Sequence, residues 1–140
     1  MSRRFKAIAA AASAVAALTV PIALASPASA TANNGATAAA ICGSGYWNID
    51  SQNINSSTVY LSYNGSTDCV VTIKDPDWQG SPDYVWATVN TDGSQTTNED
   101  GGQFSYYAGP SRVYAPGQCI YWGGGDYYNS SGMIGPVHCN

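Results

Sequence analysis

Charge is scarce in this 140-residue chain: Asp, Glu, Lys and Arg make up 10% of it, and basic residues number only five. Three of those five, Arg3, Arg4 and Lys6, lie in the first six positions. Beyond them stand Lys74 and Arg112 against nine acidic residues, a net charge of −7. A body of that sign repels phosphate backbones, which excludes nucleic acid as a partner. It disfavours anionic lipid headgroups for the same reason. Histidine occurs once, at His138, so no histidine-rich metal site can form. No Gly-x-Ser-x-Gly elbow is present. After the first thirty residues no apolar pattern of helical period appears, and no uninterrupted run reaches the ~20 apolar residues of a membrane span.

The longest apolar run, Ala7 to Val20, follows the basic start and is broken by Pro21, Ser26, Pro27 and Ser29. Ala28-Ser29-Ala30 is a small-x-small cleavage site. Residues 1–30 therefore read as a signal peptide, and the chain is expected to be secreted. No cysteine stands at the cleavage point, so no lipid anchor is expected and no membrane association after cleavage. Residues 31–40 are small and Ala-rich with no face to bury, and are expected to be a disordered leader. Residues 41–140 are expected to form a single β domain.

What the exported part does contain is cysteine, in even number: Cys42, Cys69, Cys119 and Cys139. In a small exported chain that points to two disulfides. Zinc fits less well, because no pair has ligand spacing. Four cysteines allow three connectivities and the sequence does not choose among them. Cys42–Cys69 with Cys119–Cys139 closes short loops and is the preferred expectation.

Short alternating runs separated by turn signals fill the domain. Val59, Leu61 and Tyr63 share one face of a strand, and Cys69, Val71 and Ile73 share a face of the next. Asn64-Gly65 between them completes the best hairpin signal in the chain. Val85, Ala87 and Val89 alternate with Tyr84, Trp86 and Thr88, and Asp92-Gly93 then turns the chain. Further candidates are 46–50, 103–107, 112–115, 118–122 and 133–138. The pattern predicts an all-β fold, a small disulfide-bonded sandwich or barrel of about seven to eight short strands.

The segment Tyr106 to Gly124 concentrates Tyr106, Tyr107, Tyr114, Tyr121 and Trp122. Its strand through Cys119 and Trp122 is apolar on both faces and reads as a central strand covered on both sides. The segment is accordingly expected to be core. Ten tyrosines and four tryptophans nonetheless exceed what so small a core can bury, so some rings must be exposed. Trp47, Trp78, Tyr127 and Tyr128 lie near predicted loops and are the candidate carbohydrate contacts, since planar rings stack on sugar faces.

No catalytic set stands out. His138 adjoins Cys139, and the acidic residues lie mostly in Asp-Pro and Asp-Gly turns, where the carboxylate caps backbone. Asp75, Asp77, Gln79, Gly80 and Asp83 match part of a calcium loop, but Trp86 stands where the bidentate glutamate belongs. This stretch is expected to be a structural loop. The chain is expected to be non-enzymatic, with no metal and no cofactor.

The segments "CGSGYWNID", "STVYLSYN", "CVVTIK", "YYAGP", "APGQCIYWGG" and "VHC" occur in an order and spacing that resembles the spore-associated protein A family of filamentous actinobacteria. The likeness covers about residues 41–140. It implies an exported, disulfide-bonded β protein found with spores and aerial hyphae, and brings no catalytic residue. The implied function is a secreted non-catalytic protein of the spore or aerial-hypha surface, structural or adhesive. A cell-wall polysaccharide-binding module is the first alternative, and its partner would be polysaccharide. A secreted inhibitor of an extracellular hydrolase is the second, though the Trp-Arg-Tyr loop of small amylase inhibitors is absent.

Overall fold

A computed structural model describes residues 34–139. The signal peptide expected at residues 1–30, and residues 31–33 of the leader, lie outside the described residues. Eight strands follow one short helix: α1 (Asn34–Cys42), β1 (Trp47–Asn53), β2 (Ser57–Tyr63), β3 (Thr67–Lys74), β4 (Asp83–Thr91), β5 (Asn98–Phe104), β6 (Tyr107–Tyr114), β7 (Ile120–Asp126) and β8 (Ser130–Val137). The strands form two antiparallel four-stranded sheets, ordered β1-β2-β3-β6 and β5-β4-β7-β8. They pack face to face as a sandwich, so the all-β expectation holds and the barrel alternative does not.

The alternation read in the sequence sets the core. Val59 and Leu61 of β2, Val70 of β3, Val85, Ala87 and Val89 of β4, and Ile120 and Trp122 of β7 make one buried cluster between the sheets. Burying such side chains contributes roughly 25 cal/mol per Å² of apolar surface and is the main force holding the layers together. Polar bonds also link the two sheets, from Ser57 to Asp126 and from Gly109 to Asp100 among them, and Thr72 Oγ1 donates to the Trp86 carbonyl at 2.7 Å. That approach depends on the glycine run of β7. A Cβ on Gly124 would fall 2.1 Å from Thr72 Oγ1, and one on Gly125 would fall 2.6 Å from the Trp86 ring nitrogen.

The same glycines explain a shifted boundary. The strand expected at 118–122 runs instead from Ile120 to Asp126, because Gly123 to Gly125 supply no side chains to alternate. It is central in its sheet, as expected. Its second face is covered only in part, however: Gly123 and Gly125 there are buried, and Tyr121 is only half-buried.

The disordered leader expected over residues 31–40 is also corrected. Residues 34–40 belong to α1, which lies on the outer face of β3. Ala38 and Cys42 pack there with Cys69, Val71 and Ile73. A nine-residue helix is marginal alone, but alanine is the best helix former. Its small side chain lets the helix sit close on the sheet. Three devices fix the helix end. The Cys42–Cys69 disulfide links it to β3. Gly43, at φ +121°, donates back to the Ala39 carbonyl. Arg112 of β6 donates to the Cys42 carbonyl from Nη2 at 2.8 Å and Nε at 3.2 Å.

The second disulfide is Cys119–Cys139, so the preferred pairing is the one present. Both disulfides lie toward the end of the sandwich where β2 finishes and β3 begins. Cys69 pairs with Ser62 in the sheet, and Cys119 accepts a backbone bond from Asp92, just past the end of β4.

Candidate functional site

At the opposite end of the sandwich three loops converge: the β1–β2 turn, the long β3–β4 connection and the β7–β8 turn. The β3–β4 loop carries Trp78 on a single 3₁₀ turn, Pro76–Trp78, started by the fixed φ of Pro76. Its neck is closed by Lys74, which is 1% exposed. The ammonium donates to Asp83 Oδ2 at 2.7 Å and to the Ser81 carbonyl at 2.8 Å. Gln79 Nε2 donates to the Lys74 carbonyl at 2.7 Å, and the Gly80 amide donates to the Ser105 carbonyl at 2.9 Å. Gln79 and Asp83, two of the partial calcium-loop positions, are thus engaged in holding the loop.

The β7–β8 turn carries Tyr127 and Tyr128 and is organised by Asp126. One oxygen of Asp126, Oδ1, accepts from the backbone amides of Tyr128 and Asn129, each at 2.9 Å. The other accepts from Ser57 Oγ. Burial pushes this carboxyl up, but hydrogen bonds from Ser56, Ser57 and the two backbone amides outweigh it and hold it below the usual carboxylate range. Ser56 joins the two loops. Its carbonyl accepts from the Asp75 amide at 2.9 Å, and its hydroxyl accepts from Asn129 Nδ2 at 2.9 Å.

The result is a cluster of exposed rings on anchored loops. Trp78 and Tyr128 stand 4.7 Å apart between ring centroids with planes inclined by 50°. Tyr127 meets Tyr128 edge-on at 5.2 Å and 86°. Tyr127 is the most exposed ring described, at 74%. Tyr106 and Tyr107 are exposed at the same end, tied in by the bond from the Lys74 amide to the Tyr106 carbonyl.

Three of the four rings proposed as carbohydrate contacts are therefore brought together. Trp47 is not among them. It lies at the other end of the sandwich, edge-on to Tyr63 at 5.7 Å and 80°. Tyr106 and Tyr107, read from the sequence as core, are exposed, as is Tyr114. They sit at strand ends, where alternation no longer decides burial. Trp122 is the core ring of that segment.

Two carboxylates near the cluster have environments that differ. Burial, with the Asp126 and Asp77 charges beside it, pushes Asp75 up, against hydrogen bonds from Thr58 and Asn53. Opposed shifts in neighbouring acids are a mark of acid–base chemistry. Here, however, Asp126 spends one oxygen on the turn and the other on Ser57 of β2, and is 8% exposed, so both oxygens are engaged in holding the structure. At the other end His138 Nε2 stands 3.4 Å from Asp50 Oδ2. Arg112, the one basic residue besides Lys74 in this domain, is directed at the Cys42 carbonyl. Among the described residues no group of three or more His, Cys, Asp or Glu is arranged to hold a metal ion. No helix there is long and apolar enough to cross a membrane.

Comparison with known proteins adds one relative. The chain is 40% identical over 124 residues to Spore-associated protein A of Streptomyces coelicolor, covering 85% of this chain and 79% of that protein. No family model matches the chain, and no solved structure matches it.

Proposed function

The chain belongs to the spore-associated protein A family, and from that premise we propose that it acts at the spore or aerial-hypha surface as an exported, non-catalytic adhesive protein. The relative's name supports the spore association. The observation that carries adhesion is the ring cluster of Trp78, Tyr127 and Tyr128. Apolar rings left exposed on loops that an ion pair and several hydrogen bonds hold fixed are a preformed contact surface. Loss of mobility on binding is small for such a surface, so each ring can give most of its contact energy.

Uncharged wall polysaccharide is the partner this end suits. Sugar faces stack on aromatic rings, and an acidic body repels anionic polymers. The rings are mutually inclined rather than coplanar. They suit contact with one or two sugar units from different sides rather than a long run along a flat strip.

Two measurements test the proposal. Detergent extraction of spores, probed for the mature chain, is expected to release it. Its absence from spores together with abundance in the free medium would remove the surface role. Retention of the purified protein on chitin or cellulose powder is expected to fall at least tenfold in Trp78→Ala/Tyr128→Ala. Equal retention of that variant would remove the aromatic end as the contact.

A further inference from the structure

Trp47, set apart from the other three rings, has a site of its own. It forms one wall of a groove of about 520 Å³ whose other sides are Tyr46, Asn48 and the α1 residues Ala39 and Ala40. That volume lies in the ~300–1,000 Å³ range of small-molecule sites. The groove is built rather than incidental. The Cys42–Cys69 disulfide fixes α1 to the sheet, Arg112 holds the last helical carbonyl, and Trp47 leans on Tyr63.

Charge selects what could occupy it. The lining contains no carboxylate, ammonium or guanidinium, while the domain as a whole carries a net charge of −7. No carboxylate in the lining pairs with a cation, and an anion is repelled by the body. An uncharged ligand with a flat face has the half-exposed Trp47 ring to stack on, with the phenol of Tyr46 as a polar edge. We propose that this groove is a second contact site for uncharged polysaccharide, so that one chain bridges two polymer strands. This rests on the reading of the aromatic end as a polysaccharide contact. The geometry suits bridging: β2 separates the two ends, with Trp47 opposite Tyr63 at its finish and the Ser56 junction at its start. Its seven residues place them roughly 20 Å apart at ~3.3 Å per residue. Both sites are fixed to one rigid sandwich, which favours two partners over one.

The test uses the full mature chain with fine chitin particles and reads two quantities: the amount retained, and the turbidity or settling rate that reports particles joined by protein. Wild type is expected to bind and to join particles. Trp47→Ala is expected to retain binding within about threefold through the aromatic end and to lose joining. Ala40→Lys fills the groove from an exposed helix position without touching the core, and is expected to do the same. Trp78→Ala/Tyr128→Ala is expected to keep residual binding through the groove and also lose joining. Undiminished joining by Trp47→Ala and Ala40→Lys would overturn the second site while leaving the aromatic end intact. Failure of wild type to bind chitin at all would overturn the polysaccharide reading itself, and the bridge with it.

Discussion

The two ends of the sandwich are held by different chemistry. At one end, the aromatic cluster stands on loops secured only by polar contacts: the Lys74–Asp83 pair, the Asp126 turn and the Ser56 junction. No cysteine lies there. The other end has both disulfides, α1, the Trp47 groove and the last residues before the C-terminus. The difference follows from connectivity. A loop between two paired strands is already tethered at both sides, and a few hydrogen bonds suffice to set its shape. A segment that does not connect two paired strands, such as α1 or the stretch after β8, loses far more entropy on docking, and a covalent link removes much of that cost from the unfolded chain.

The largest effect is expected from breaking the polar end. Lys74→Met leaves Asp83 beside an apolar side chain with no counter-charge. Removing one partner of a buried ion pair costs about 3–5 kcal/mol; the lower part of that range applies, because Asp83 retains 21% side-chain exposure. Urea unfolding at pH 7 measures the loss. Retention on chitin should fall with it, since the β3–β4 loop carrying Trp78 opens at its neck. Asp83→Leu added to Lys74→Met removes the orphaned charge and should recover most of the stability. Little difference between the single and double variants would show that the pair is not what closes the loop.

The next effect isolates the covalent end. Cys42→Ala/Cys69→Ala opens a link spanning 27 residues. The expected cost is about 2–4 kcal/mol, with the aromatic end unaffected. Amide hydrogen exchange should show α1 losing protection while the amides of Tyr128 and Asn129 keep theirs. Equal loss at both ends would mean that the sandwich transmits the damage and that the ends are not independent.

Sequence periodicity made the sheets legible and left their ends obscure. The alternation of Val59 with Leu61 and of Val85, Ala87 and Val89 marks residues that the core buries, because strand side chains alternate by covalent geometry. The helix α1 gives no such signal. Apart from Gly35 and the disulfide's Cys42, its buried residues are alanines, indistinguishable by hydrophobic pattern from the exposed alanine beside them, and a disulfide and Arg112 supply the docking. Trp78, Tyr127 and Tyr128 were recognisable as exposed rings from their loop setting. That they meet, and that Trp47 does not join them, depends on which loops share an end of the sandwich. Strand order decides that, and strand order is not written in any local stretch. Ser56, Lys74 and Asp126, which position the rings, carry no motif. The spacing of Lys74 and Asp83 across a turn-rich loop was the one available hint of a closed neck.

The smallest effect separates the ends by pH. Asp68 of β3 is 1% exposed, and its Oδ1 has no hydrogen-bond partner among the described residues. Burial raises its carboxyl to about 6, with the nearby His138 pulling it partly back. The folded state therefore holds this proton more tightly than the unfolded chain does, where an aspartate titrates near 3.9. Above the folded value Asp68 is ionised in both states, and its burial is a cost. As pH falls through about 6 the fold takes up a proton first, and the cost is relieved. Asp126 at the aromatic end has the opposite sign. Its lowered carboxyl contributes stability above the unfolded value, and that contribution is lost as acid protonates it in the fold. Stability should thus rise from pH 8 towards pH 5 and fall again below about pH 4. Asp68→Asn, which keeps the shape and removes the charge, should stabilise by about 1–3 kcal/mol at pH 8 and give no gain at pH 4. Thermal melts across that range decide it. A gain of the same size at every pH would show that the packing of residue 68, and not its charge, is the weak point of the disulfide end.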